Sequence, residues 1–90
     1  VLVSTGLSLD IFPNPARQTS TVAVSQREVG VLVVKVYDVL GREVATLHAG
    51  SLAAGRHAFE FDVTTLPGGV YVVRAVGRER AVTQRFTVAR

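Results

Sequence analysis

Apolar residues along this chain recur mainly at every second position, the period of a strand with one buried face. Leu7, Leu9 and Ile11 alternate with Ser8 and Asp10. Val22 and Val24 mark a second strand that ends near Ser25 and Gln26, and a third follows Gly30, with Leu32, Val34 and Val36 on one face and Lys35 on the other. Val44 and Leu47 indicate a short fourth strand, and their three-residue spacing breaks the alternation and predicts a bulge or bend. Further on, His57, Phe59 and Phe61 alternate with Ala58, Glu60 and Asp62, and Tyr71, Val73 and Ala75 stand opposite Arg74. A last strand, from about Ala81 to Val88, sets Val82, Phe86 and Val88 against Thr83, Arg85 and Thr87. No 3.6-residue apolar period extends over a helix length. About seven short strands at this spacing predict an all-β chain, an immunoglobulin-like antiparallel β-sandwich.

The breaks between strands carry their own chemistry. Pro13-Asn14-Pro15 stops the first strand, because two prolines remove two backbone donors and restrict φ. Asp38 to Gly41 predicts a tight turn: the Asp side chain can accept from N–H groups ahead of it, and Gly suits the exit. Gly50 to Gly55 is expected to form a loop with Leu52 beneath it. Leu66-Pro67-Gly68-Gly69 has the residues of a type II turn, and Gly77-Arg78 those of a two-residue type II′ hairpin. Leu66 in a turn and Tyr71 near the start of the next strand match a tyrosine corner, with the phenol bonded to upstream backbone.

Ninety residues allow one small domain, and a hydrophobic content of 48% excludes an intrinsically disordered chain. The longest apolar run, Val31 to Val34, falls far short of the roughly 20 residues of a membrane-spanning helix. Residues 1–6 read as the end of a linker from a larger parent, and residues 7–90 as the domain. Val1 to Phe12 lacks the basic start of a secretory leader and carries Asp10, so an exported parent would need its targeting sequence upstream. There is no cysteine. That implies either a cytosolic setting or a core that suffices without disulfides, and it removes thiolate chemistry.

Reactive constellations are not apparent. Ser51, His48 and Asp62 lack nucleophile-elbow spacing, and two histidines nine residues apart without Cys make no zinc set. His57 shares parity with Phe59 and Phe61 and is expected at the core edge, whereas His48 is expected in solvent at a loop entrance. Asp10, Asp38 and Asp62 are isolated, without the acidic alternation of a calcium loop. Gly68-Gly69 is no phosphate cradle. The expected domain is therefore non-enzymatic and needs no cofactor. The net charge of +3 gives a mild attraction to anionic surfaces. Arg74, Arg78, Arg80 and Arg85 gather near the last hairpin, but few aromatics interleave with them, so solvated strand faces are favoured over a nucleic-acid site. With no Trp, planar sugar platforms are also scarce.

Four segments in order resemble the C-terminal sorting domain of the type IX secretion system of the Bacteroidetes group. They are Leu9 to Ala16 with Pro13-Asn14-Pro15, where Phe12 replaces a more frequent Tyr, and Val34 to Leu47 with Tyr37-Asp38 and Gly41-Arg42. The third is Leu52 to His57 with Gly55, followed by Leu66 to Tyr71 with Gly69, and the fourth is the basic ending Thr83 to Arg90. The resemblance implies an address label. The parent would reach the periplasm by an N-terminal signal and be recognised by an outer-membrane translocon. A sortase-like peptidase would then remove the domain, with a cut expected in residues 1–6, and join the parent to anionic lipopolysaccharide. The last strand, with Arg85, Phe86, Val88 and Arg90, is the candidate recognition element. The fold also resembles the immunoglobulin-like module of flagellar hook-capping proteins. The alternative is a retained cell-attachment or carbohydrate-associated module of a secreted polysaccharide-degrading enzyme.

Overall fold

The alternating segments become seven strands in a computed structural model that describes residues 6–78 and 80–90. They are β1 (Leu7–Phe12), β2 (Thr19–Gln26), β3 (Gly30–Asp38), β4 (Glu43–Leu52), β5 (Gly55–Asp62), β6 (Gly69–Val76) and β7 (Ala81–Val88). Two antiparallel sheets, ordered β1-β2-β5 and β4-β3-β6-β7, pack face to face as the expected sandwich. Of the predicted linker, residues 1–5 lie outside the described residues.

The core is drawn mainly from residues that the two-residue period placed on one face of the strands, with Ala16 and Val63 added from the connections. Leu9, Val22, Val24, Leu32, Val34, Val36, Phe61, Tyr71, Val73, Ala75, Phe86 and Val88 are all buried in one cluster. Phe86 sits at its aromatic centre, with ring centroids 6.4 Å from Phe61 and 5.8 Å from Tyr71. Burying such a ring removes a large apolar area from water and dominates the local packing energy.

The predicted bulge is present, and it is double. Along β3–β4 the register passes from Val34↔His48 to Lys35↔Thr46, then from Val36↔Ala45 to Tyr37↔Glu43. The residues skipped are Leu47 and Val44, the two apolar residues whose spacing broke the alternation. The extra residues let Leu47 pack against the core while its neighbours keep their pairing.

Four local expectations need correction. The segment Gly50 to Gly55 is not a loop: β4 continues to Leu52 and β5 begins at Gly55, so only Ala53 and Ala54 separate them. Leu52 does pack against the core. Leu66 to Gly69 is not a type II turn, because Gly68, its third position, does not have positive φ. The tight turn lies just upstream, where the Leu66 N–H donates to the Val63 carbonyl at 3.0 Å. The β6–β7 connection is four residues, not two; Gly77 lacks positive φ, and its N–H donates to the Arg80 carbonyl at 2.7 Å. Finally, His48 lies inside β4, half-buried, with its ring stacked on Phe59 at 5.4 Å between centroids.

Because consecutive strands reverse direction, the sandwich has two distinct ends. The chain enters at Gly6, beside the β2–β3, β4–β5 and β6–β7 connections. The other end, called the far end below, holds Pro13–Gln18, the β3–β4 turn, the β5–β6 loop and residues 88–90.

Candidate functional site

Almost every residue of the predicted motifs falls at the far end. The β3–β4 turn is built as the sequence suggested. The Gly41 N–H donates to the Asp38 carbonyl at 3.0 Å, and the Asp38 N–H to the Arg42 carbonyl at 2.9 Å. The Asp38 carboxylate accepts from the N–H groups of Leu40 and Arg42 at 2.9 and 3.0 Å and from the Arg42 guanidinium at 2.8 Å. These donors, led by the Arg42 backbone N–H, hold the Asp38 pKa below the usual carboxylate value. Gly41 has φ +82°, a left-handed conformation that a side chain would strain. Tyr37 lies at the end of β3, half-buried, opposite Val72.

Tyr71 forms the predicted corner. Its ring is buried and its hydroxyl donates to the Pro67 carbonyl at 2.7 Å. Nearby, the Asp62 carboxylate accepts from the Thr64 hydroxyl at 2.6 Å and the Thr64 N–H at 2.8 Å. Those bonds, with the Arg90 charge beyond them, lower the Asp62 pKa.

The Pro13-Asn14-Pro15 segment does something the sequence did not announce. It folds across the end of β7, the outer strand of the four-stranded sheet. The Thr87 N–H donates to Asn14 Oδ1 at 3.0 Å, the Ala16 N–H to the Thr87 carbonyl at 2.8 Å, and the Ala89 N–H to the Ala16 carbonyl at 2.8 Å. Ala16, fully buried, forms a parallel bridge with Val88. The prolines thus end β1 and turn the chain into a hook over the last strand. Pro13 takes part through its carbonyl, which accepts from Ser20 Oγ at 3.2 Å.

Arg90 completes the arrangement. Its guanidinium donates to the Leu66 carbonyl through Nε at 3.0 Å and Nη2 at 2.8 Å, and to the Arg17 carbonyl through Nη1 at 2.7 Å. It also donates to the Val63 carbonyl. A planar fork with five donors suits this convergence of loop carbonyls. Gly68 makes room for it: a Cβ there would stand 3.0 Å from Arg90 Cγ.

The four candidate recognition residues therefore occupy different settings. Phe86 and Val88 are 1% exposed and keep their side chains in the core. Arg85 is exposed on the outer face of β7, and Arg90 is tied into the far-end loops. Gly55 alone among the motif residues lies at the entry end, where the β4–β5 turn closes. Among the basic residues near the last hairpin, Arg74 and Arg85 lie on the solvent face of the four-stranded sheet, while Arg78 and Arg80 line an open groove at the entry end with Arg27 and Val29. His57 is half-buried at the entry end, within 2.8 Å of the Ala53 carbonyl. Among the described residues no three of His, Cys, Asp and Glu gather where a metal could bind.

Far-end residues tie the segment from Pro13 to Arg17 to the end of β7 and to Arg90, and no simple local rule predicts those ties. None of the curated proteins matches the chain. One family does, over residues 10–89, and its members are described as secretion system C-terminal sorting domains. That span holds all four predicted segments but for Leu9 and Arg90 at its limits, and more than half of the chain: the protein belongs to the family of type IX secretion C-terminal sorting domains.

Proposed function

We propose that this domain is the address of a larger exported protein, carrying it through the outer membrane to the cell surface while performing no reaction of its own. The family match over residues 10–89 is the observation that supports this reading. The parent attaches through residues 1–6, and Gly6 lies at the entry end, which leaves the far end, where β7 finishes, clear for the translocon. Arg85 serves recognition from the surface. Phe86 and Val88 serve it from within the core by fixing the strand, and Arg90 by holding its end in place. A sortase-like peptidase then cuts within residues 1–6 and joins the parent to anionic lipopolysaccharide.

The test is to fuse the whole 90-residue chain to an exported fluorescent reporter in a host with this secretion route. Surface delivery, with loss of about 9.6 kDa from the mature protein, is expected. Reporter trapped in the periplasm would overturn the reading, and delivery without loss of mass would replace cleavage by retention. Deleting residues 85–90 is a poor test, because it removes Phe86 and Val88 from the core along with any recognition element.

A further inference from the structure

β7 is an edge strand with an unusual division along its length. Its pairing with β6 runs without a register shift from Gly69↔Val88 to Val76↔Ala81. In such an antiparallel pair, residues alternate between those bonded to the neighbouring strand and those whose N–H and C=O point away from it. Thr87 belongs to the second kind, since both its groups are taken by Asn14 and Ala16 on the outer side. The same parity turns the N–H and C=O groups of Ala81, Thr83 and Arg85 outward. No hydrogen bond of the hook reaches them: its bonds stop at Thr87, and β1, which packs beside β7 from the facing sheet, pairs with β2 instead.

The other edges are less open. β4 is interrupted by its two bulges, and β1 is six residues long and ended by Pro13. β5 shows charges of both signs, Arg56, Glu60 and Asp62, along its exposed face. Around the open part of β7 the charge of the described residues has one sign. Arg85 and Arg74 lie on the same solvent face, with Arg74 paired to Thr83 in register, and neither forms an ion pair among the described residues. Valines 70, 72 and 76 of β6 share that face.

We infer that the outer edge of β7 from Ala81 to Arg85 accepts an extended strand of a protein partner, and that this strand presents carboxylates beside Arg85 and Arg74. Backbone pairing would supply the affinity, and the arginines would select the acidic face. The hook over Thr87 sets the register, because it blocks sliding of the added strand toward the far end. As a site for the secretion machinery this inference rests on the sorting reading; as a strand-addition site it does not.

A first arm uses the isolated chain and two acetylated octapeptides, one alternating valine with glutamate and one alternating valine with lysine. In a nitrogen-15 NMR titration, the glutamate peptide should shift the amides of Ala81, Thr83 and Arg85 saturably and bind at least tenfold more tightly than the lysine peptide. Thr83→Pro removes only an outward N–H, which edge strands tolerate, and should abolish binding while the melting temperature stays near wild type. Arg85→Glu leaves the backbone edge intact and should reverse the preference between peptides. Shifts confined to other strands, or unchanged preference in Arg85→Glu, would overturn the inference. In a second arm the reporter fusion carries Thr83→Pro. Retention of a folded variant in the periplasm beside an exported wild type supports the inference. Equal export of both overturns it as a translocon site and leaves the sorting reading intact, whereas failure of the wild-type fusion removes the sorting reading alone.

Discussion

The two ends of the sandwich are held in different ways, although the same seven strands run between them. At the entry end the connections are short and, among the described residues, rely on few side chains, chiefly Gln26 donating to the Leu52 carbonyl at 2.8 Å and His57 beside the Ala53 carbonyl. At the far end, Asp38, Asp62, Tyr71, Asn14 and Arg90 each fix a loop to backbone groups. The difference follows the path of the chain. Residues 13–17, the β5–β6 loop and residues 87–90 meet only there, so the last strand depends on ties that span most of the sequence.

Cutting the packing shared by both ends should have the largest effect. Phe86→Ala leaves a cavity between Phe61 and Tyr71, and a loss of about 3–5 kcal/mol is expected by denaturant unfolding. Both ends should then unfold in one transition. Arg90→Ala separates the ends. It should cost about 1–2 kcal/mol and speed hydrogen exchange at Ala16 and Ala89 while leaving the entry end protected. Arg90→Lys should recover little, because a single ammonium cannot span the Val63, Leu66 and Arg17 carbonyls.

Smaller changes sharpen the contrast further. Tyr71→Phe keeps the ring and removes one bond to the Pro67 carbonyl, so roughly 1 kcal/mol should be lost in thermal unfolding. Lengthening the β4–β5 turn from two to four residues, with two Gly/Ser residues between Ala53 and Ala54, should cost only about 0.6 kcal/mol, since loop entropy grows slowly with length. The smallest effect concerns acid. The folded pKa of Asp38 is lowered by its bonded N–H groups, so its contribution is present above the unfolded carboxylate pKa and fades as pH falls through the folded value. Asp38→Asn should therefore flatten the stability profile below about pH 4, the usual carboxylate range, and leave the neutral-to-alkaline part unchanged in slope. A profile as steep as wild type would assign that acid sensitivity to Asp62 or Glu43 instead.

How much of this was legible in the chain depends on distance along it. Strand existence, the core face, the bulge at Val44 and Leu47, the Asp38–Gly41 turn and the Tyr71 corner all rest on relations within a few residues. Each followed from alternation or turn chemistry. The errors were local too, but they needed a neighbour. His48 was expected in solvent because Gly50 suggested a loop, and it is Phe59 on the facing sheet that stacks on its ring. The Leu66–Gly69 turn failed because positive φ falls at Gly69 rather than Gly68, and Arg90 lies against Gly68, a contact no local pattern contains. The hook was out of reach for the same reason, as Asn14 and Thr87 are 73 positions apart.

By itself, then, the sequence determined a two-sheet chain and its inward residues, because side-chain period and turn composition are written locally, while its motifs carried the resemblance to a sorting family. Only the tertiary structure decided that Pro13-Asn14-Pro15 closes over the last strand, that Arg90 binds loop carbonyls, and that the open edge of β7 ends at Arg85. Those outcomes depend on which distant backbone groups arrive side by side when the sheets pack, and hydrogen-bonding groups carry no mark of their partner until they meet.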